Sequence, residues 1–139
     1  MDAVSSAVMG RSPWKDLVGE WEMRSPIFQG ARGLAVFEWL EGGAYLALRS
    51  QPPQPAPASV WLIGADDSDS ACTVLYADSR GVSRVYRTSF VSGVWIIERH
   101  GQPFSQRFEG RLEPDMKSIK GAWHSAEDDG GWKMDFELA

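Results

Sequence analysis

The chain has little of the chemistry on which disulfides, metal centres and nucleic-acid contacts depend. Its 139 residues include one cysteine, Cys72, so no disulfide can form within the chain, and we expect this residue to act as a small buried hydrophobe. Only two histidines are present. Lys and Arg number 14 against 19 for Asp and Glu, and phosphate backbones repel a protein with the resulting net charge of −5. The composition therefore predicts no nucleic-acid partner.

Targeting signals and long apolar runs are also missing. No stretch approaches the roughly 20 apolar residues that span a bilayer. The N-terminus has Asp2 where a secretory signal needs Lys or Arg, and serines interrupt its apolar residues. We therefore expect a cytoplasmic protein without a membrane partner. Residues 1–11 are predicted to form a flexible tail and residues 12–139 a single domain, for which a hydrophobic content of 43% is ordinary.

The chain has instead the pattern of an antiparallel β-protein. One short helical turn is predicted near Pro13, with Ser12 as its N-cap. Beyond Gly19, alternating or aromatic-rich runs end at Gly, Pro, Asp or Ser about every 8 to 12 residues, which is typical of a barrel or a sandwich. The predicted strands are Glu20–Arg24, Leu34–Leu40, Tyr45–Ser50, Ser59–Gly64, Cys72–Ala77, Ser83–Phe90, Val94–Arg99, Phe104–Arg111, Ser118–His124 and Trp132–Leu138.

Tight turns predict which side chains share a face of the sheet. Gly42-Gly43 and Ser92-Gly93 fit two-residue hairpins, and such hairpins fix the register of the strands that flank them. Pairing outward from the first turn places Glu38 and Arg49 together on the outer face. The predicted inward residues of this hairpin are Phe37, Trp39, Leu46 and Leu48. Pairing outward from the second turn places Arg84, Tyr86, Thr88, Phe90, Trp95, Ile97 and Arg99 on one face.

Three further segments have recognisable turn or strand patterns. Asp78-Ser79-Arg80-Gly81 has Asp first and Gly last, as a type I turn prefers. The proline-rich segment 51–57 is predicted to be a stiff extended loop between two strands. In the last strand an apolar face alternates with a charged one. Its apolar residues are Trp132, Met134, Phe136 and Leu138.

The segment Leu17-Val18-Gly19-Glu20-Trp21 places a Gly-x-Trp motif on the first strand, directly after the helical turn. Together with the strand count and the aromatic content, this motif resembles the calycins: lipocalins, fatty-acid-binding proteins, avidins and nitrobindin-like haem proteins. The similarity covers residues 12–138. It implies an all-β fold, a single antiparallel up-and-down barrel of about eight to ten strands with a small apolar or amphipathic ligand inside. In lipocalins a late basic residue stacks on the first-strand Trp, and Arg107, Arg111 and Lys133 are candidates.

A candidate ligand site follows from Arg84-Val85-Tyr86, because alternation places the guanidinium and the phenol on one face with Arg99 beside them. Such a group suits a carboxylate, and fatty-acid-binding proteins use a similar Arg-x-Tyr for their acid headgroup. The apolar part of the predicted pocket comprises Trp39, Phe90, Trp95 and Phe108. The alternative is that both arginines emerge at the rim, where water solvates them and their stems lie on aromatic rings.

Metal, haem and catalytic motifs are weak. His100 and His124 form no chelating pair, and the acidic segment 66–70 lacks the central Gly and distal Glu of a calcium loop. Nitrobindin-like proteins hold haem through a histidine near the C-terminus, where this chain has Glu137-Leu138-Ala139, so we expect no haem and no other cofactor or metal. Acid-base chemistry would need Glu38, Asp78 or Glu98 to face inward.

Three functions fit this reading. The leading hypothesis is a barrel that binds a small apolar or amphipathic molecule, with anions among the candidate ligands. The second is an enzyme of the cyclase or isomerase type that uses the same cavity. The third is a filled barrel that acts through its outer surface or as a homodimer, so the chain is expected to be a monomer or a homodimer.

Overall fold

The computed structural model describes residues 13–24, 32–52, 56–65, 72–100, 105–115, 117–125 and 133–139. These residues form a closed antiparallel barrel of ten strands, in which each strand pairs with the next and the last pairs with the first. The strands are β1 (Gly19–Arg24), β2 (Arg32–Leu40), β3 (Tyr45–Gln51), β4 (Ser59–Ala65), β5 (Cys72–Asp78), β6 (Ser83–Val91), β7 (Val94–Arg99), β8 (Gln106–Leu112), β9 (Ile119–Ser125) and β10 (Lys133–Leu138). The prediction of an all-β, up-and-down barrel is confirmed.

Helical structure in the described residues is limited to two short 3-10 segments. The first spans Pro13–Leu17, where the sequence predicts a helical turn, and the second spans Glu41–Gly43 between β2 and β3. Ser12, the predicted N-cap, lies outside the described residues. Among those residues, no helix has both the length and the apolar character needed to cross a membrane.

The predicted tight turns fix the register of two hairpins. At Ser92-Gly93 both residues have positive φ, 52° and 77°, and Val91 pairs directly with Val94, as a primed two-residue turn requires. The Gly42-Gly43 hairpin has the predicted pairing of Leu40 with Tyr45. Its connection is wider than predicted, because Glu41 also has a positive φ of 52° and four unpaired residues, 41–44, lie between Leu40 and Tyr45.

The inner wall of the barrel carries the alternating apolar residues. In the first hairpin Phe37, Leu46 and Leu48 are buried, as predicted. The outer ion pair is also confirmed, with Arg49 Nε 3.4 Å from Glu38 Oε1. In the second hairpin five of the residues predicted to share one face are buried, so this face is the inner one: Tyr86, Thr88, Phe90, Trp95 and Ile97. In β10 the register places Leu138 opposite Ile119 and Phe136 opposite Gly121, whereas Trp132 lies outside the described residues.

The Pro13–Leu17 segment closes one end of the barrel. The Trp14 ring lies 5.6 Å from that of Phe90 and 6.4 Å from that of Trp95, measured between ring centroids. The Leu17 carbonyl accepts a hydrogen bond of 2.8 Å from Trp21 Nε1, which anchors the segment to β1. Among the described residues, the side chain of Trp14 therefore fills this end of the barrel against β6 and β7.

Candidate functional site

A cavity of about 420 Å³ lies inside the barrel and extends to the end opposite the Pro13–Leu17 segment. We call this end the mouth; among the described residues it includes Pro52, Ala56 and Pro57 between β3 and β4, and Arg80 in the turn between β5 and β6. The volume falls in the range of small-molecule pockets, about 300 to 1,000 Å³. The apolar lining residues are Met23, Ala35, Leu48, Pro52, Ala56, Pro57, Trp61, Trp95, Ile97, Phe108, Trp123 and Leu138.

Aromatic rings form one continuous wall of the cavity. The Trp61 ring lies 4.5 Å from that of Tyr76 and 5.4 Å from that of Tyr86. Trp123 extends the wall, with ring centroids 6.1 Å from Tyr86 and 5.3 Å from Phe108. These spacings are typical of tilted and edge-to-face pairs, which hold the rings in fixed orientations. The wall is therefore a rigid apolar surface.

Two serines contribute a polar spot to the same cavity. Ser50 on β3 and Ser59 on β4 are directly opposite in the register, and their hydroxyl oxygens are 2.6 Å apart. Trp61 Nε1 donates a hydrogen bond of 2.9 Å to the Ser59 hydroxyl. Both serines are buried, and both line the cavity.

At the mouth, Asp78 joins a tyrosine and an arginine that line the cavity. Tyr76 Oη donates a hydrogen bond of 2.6 Å to Asp78 Oδ2, and Arg80 Nη2 lies 2.6 Å from the same oxygen. The arginine side-chain hydrogen bond is the largest cause that holds the pKa of Asp78 well below its usual range. Burial, followed by the hydrogen bond to Asp78, raises the pKa of Tyr76 to about 12. Asp78 is thus an ionised structural acceptor, and the Tyr76 phenol stays protonated.

A second polar group lies on β6 and β8. Tyr86 is buried, and its hydroxyl donates a hydrogen bond of 2.9 Å to Gln106 Oε1. Arg84, half-buried on the same face of β6, also lines the cavity and pairs with Tyr76 in the register. A guanidinium, a phenol and a carboxamide therefore border the cavity on this side.

The structure brings four of the seven predicted site residues together around the cavity: Arg84, Tyr86, Trp95 and Phe108. The other three lie elsewhere. Arg99 is half-buried on β7, opposite Gln106. Phe90 packs against Trp14 at the closed end, and Trp39 packs against the core opposite Leu46.

Several lining residues have no place in the predicted site, namely Ser50, Ser59, Trp61, Tyr76 and Gln106. Alternation within β4 and β5 contained a signal, since Trp61 shares a face with Ile63, and Tyr76 shares one with Val74. The register of these strands could not be predicted, because the sequence of neither the 51–57 nor the 66–71 segment has a two-residue turn motif.

The acidic candidates for acid-base chemistry are divided between the two faces of the barrel. Glu38 pairs with Arg49 on the outer wall, and Glu98 pairs with Arg107 at 3.2 Å. Asp78 alone of the three is at the mouth, held by Tyr76 and Arg80.

Arg107, Arg111 and the two histidines are on the outer surface, whereas the side chain of Lys133 is outside the described part of the structure. Arg107 and Arg111 bind Glu109 on that surface, each at 3.2 Å, although the resemblance to lipocalins made them candidates to stack on Trp21. His100 and His124 are both exposed. Within the described residues, no three His, Cys, Asp or Glu side chains are placed to hold one metal ion together.

No protein-family model matches the chain, and no curated protein matches it significantly. The functional argument therefore depends on the geometry of the barrel and its cavity.

Proposed function

We propose that this protein binds a small amphipathic molecule inside its barrel, with the apolar part of the molecule against the aromatic wall and an anionic or polar head near Arg84 and Tyr86. The observation that carries the proposal is the cavity itself, about 420 Å³ in volume and reaching the mouth. A barrel whose interior is filled by side chains would leave no such space.

The composition of the lining supports an amphipathic ligand. Trp61, Trp95, Phe108 and Trp123 offer apolar surface to a hydrocarbon chain. Apolar surface removed from water stabilises a complex by roughly 25 cal/mol per Å² before the costs of association. The polar groups of the lining occur in three places, which are the serine pair, the Tyr76–Arg80 cluster around Asp78 and the Arg84–Tyr86–Gln106 side. Polar groups placed in an otherwise apolar pocket usually orient a ligand.

The charge of the polar groups supports an acidic or oxygen-rich head. Arg84 places a guanidinium at the cavity wall, and Arg80 at the mouth is paired with Asp78. The Gln106 side-chain oxygen accepts the hydrogen bond from Tyr86, and the amide nitrogen of the same side chain is a donor. A carboxylate is the simplest group that accepts hydrogen bonds from both a guanidinium and an amide nitrogen.

A calycin-like ancestry is part of the proposal. The closed ten-stranded up-and-down topology and the segment before the first strand are compatible with that superfamily. Calycins mostly bind small apolar or amphipathic molecules inside the barrel, in agreement with the cavity described above.

The test is a tryptophan-fluorescence titration that compares decanoic acid with its methyl ester at pH 7. A hydrogen bond to a charged group contributes about 1.5 to 3 kcal/mol, so we expect the acid to bind about ten- to a hundredfold more tightly. Arg84→Met and Arg99→Met keep much of the side-chain length and remove the charge, and Arg84→Met should bring the two affinities together.

Arg87→Met is the matched control, because Arg87 is on the same strand but exposed on the outer face. It should leave the preference for the acid unchanged. Equal affinities of the original protein for acid and ester would contradict the anionic head. No binding of either compound would contradict the proposed function as a whole.

A further inference from the structure

The Ser50 and Ser59 hydroxyls have one hydrogen more than their mutual contact can use. Each hydroxyl carries one hydrogen and can accept two hydrogen bonds. One hydrogen lies between the two oxygens, which are 2.6 Å apart, whichever serine donates it. Trp61 Nε1 supplies its own hydrogen to Ser59 and consumes none. One serine hydrogen is therefore left over in either arrangement.

A buried hydroxyl elsewhere in the barrel shows the contrast. Thr88 Oγ1 accepts a hydrogen bond of 3.0 Å from Trp95 Nε1 and donates one of 2.7 Å to the Ile96 carbonyl. Its single hydrogen is committed to the backbone. Both sites pair a hydroxyl with an indole, yet only the serine pair combines a surplus hydrogen with a position in the cavity wall.

The surplus hydrogen is in a place where it needs a partner. Ser50 and Ser59 are 6% and 9% exposed and line the cavity, so the surplus hydrogen can reach only an acceptor inside the cavity. A guest that displaces water from this spot without accepting the hydrogen leaves a buried donor unsatisfied, which is costly, so a guest that accepts it is favoured.

The serine pair is separate from the predicted head site. Ser50 and Ser59 are on β3 and β4, whereas Arg84 is on β6, with Tyr76 of β5 between them in the ladder. The serines and Arg84 are therefore on strands that β5 separates.

We propose that the serine pair is a second hydrogen-bonding site, which donates to an acceptor oxygen on the hydrocarbon part of the ligand. This inference rests on the proposed function and narrows its ligand class: the preferred guest is an oxygenated medium-chain acid, with a ketone as the simplest oxygen, and not a plain fatty acid.

The test is a calorimetric titration of decanoic acid and a set of oxo-decanoic acids in which the ketone moves along the chain one carbon at a time. A neutral hydrogen bond, with the buried hydrogen satisfied, is expected to tighten binding about three- to tenfold at the matching position. The readout is the affinity of each oxo acid divided by that of decanoic acid, so effects common to both cancel.

The variants follow from the hydrogen count. Ser50→Ala leaves Ser59 able to accept from Trp61 and to donate its own hydrogen, so part of the gain should remain. Ser50→Ala combined with Ser59→Ala and Trp61→Phe removes every donor at the spot and should reduce the ratio to about one. Thr88→Val is the matched control, because it removes a buried hydroxyl outside the cavity lining and should leave the ratio unchanged.

The outcomes separate the two proposals. If decanoic acid binds and no ketone position improves on it, or if the triple variant keeps the gain, the serine site is overturned and the proposed function stands. If neither decanoic acid nor any oxo acid binds the original protein, both are overturned.

Discussion

Asp78 organises the mouth of the barrel through four donors. Its Oδ1 accepts from the backbone N–H groups of Arg80 and Val82, and its Oδ2 accepts from Tyr76 and from the Arg80 guanidinium. The predicted turn is present, with Gly81 N–H donating to the Asp78 carbonyl at 2.9 Å. The sequence predicted this turn, but not the tyrosine two residues earlier that shares its carboxylate.

These donors make stability depend on pH in the acid range. The pKa of Asp78 is held below its ordinary value of 3.8, first by the Arg80 hydrogen bond. A carboxyl group whose pKa is lower in the folded state stabilises the fold above its unfolded pKa, and this contribution is lost as pH falls. We expect the free energy of unfolding in urea to fall between about pH 5 and pH 2. The fall should be smaller in Asp78→Asn, and equal falls would contradict this role.

Gly33 lies so close to the backbone of the β3–β4 connection that an added methyl group would clash with it. A Cβ there would lie 2.3 Å from the Gln51 carbonyl oxygen and 2.7 Å from Pro52 Cα, both backbone atoms. We expect Gly33→Ala to destabilise the protein by about 1 to 3 kcal/mol, measured by chemical denaturation. Gly64→Ala is the comparison, since its Cβ would meet the movable ring of Tyr45 at 3.0 Å. A loss no larger than that of Gly64→Ala would show that the β3–β4 connection moves easily.

Among the elements, the Pro13–Leu17 segment is the one that closes the barrel. Trp14 is 3% exposed and packs edge-on against Trp95. Trp14→Ala should cost about 3 to 5 kcal/mol in the free energy of unfolding, because it removes a large buried ring. Lys15→Ala, in the same segment but exposed, should change it by less than about 0.5 kcal/mol. Comparable small losses in both variants would mean that the segment does not seal this end.

The elements were predictable because local signals agree along most of the chain. Alternation located all ten strands to within about two residues. The Ser92-Gly93 turn fixed the register of β6 and β7, so the residues that share a face with Tyr86 could be predicted, whereas the inward position of that face could not. Where tight turns are lacking, as on either side of β4, alternation identifies two faces without saying which is inner. The inward position of Trp61 could be assigned only once the closed barrel was known.

At the scale of the whole molecule, the position of the cavity was beyond prediction. Periodicity assigns a residue to a face but gives no position along the barrel axis, since that position depends on the stagger of all ten strands. Phe90 and Tyr86 therefore share a predicted face, although Phe90 packs on Trp14 at the closed end and Tyr86 lines the cavity. The same limit explains why Trp39, a predicted site residue, packs against the core and does not line the cavity.

The fold as a whole predicts a circular dichroism spectrum dominated by strand, because the described helical segments are two short 3-10 pieces. We expect far-ultraviolet spectra to give well under a quarter helix. A helical content above about a quarter would contradict the barrel, given the ordinary range of about 30 to 35% helix in globular proteins.

The central claim is that ligand occupies the barrel interior. The most direct test is a calorimetric titration of decanoic acid into Ala35→Phe, because Ala35 is 1% exposed and lines the cavity. Ala77→Phe adds the same ring at an exposed position of β5. With both variants confirmed as folded by circular dichroism, the account predicts at least about tenfold weaker binding in Ala35→Phe and unchanged binding in Ala77→Phe. Equal affinity in the two variants would contradict it.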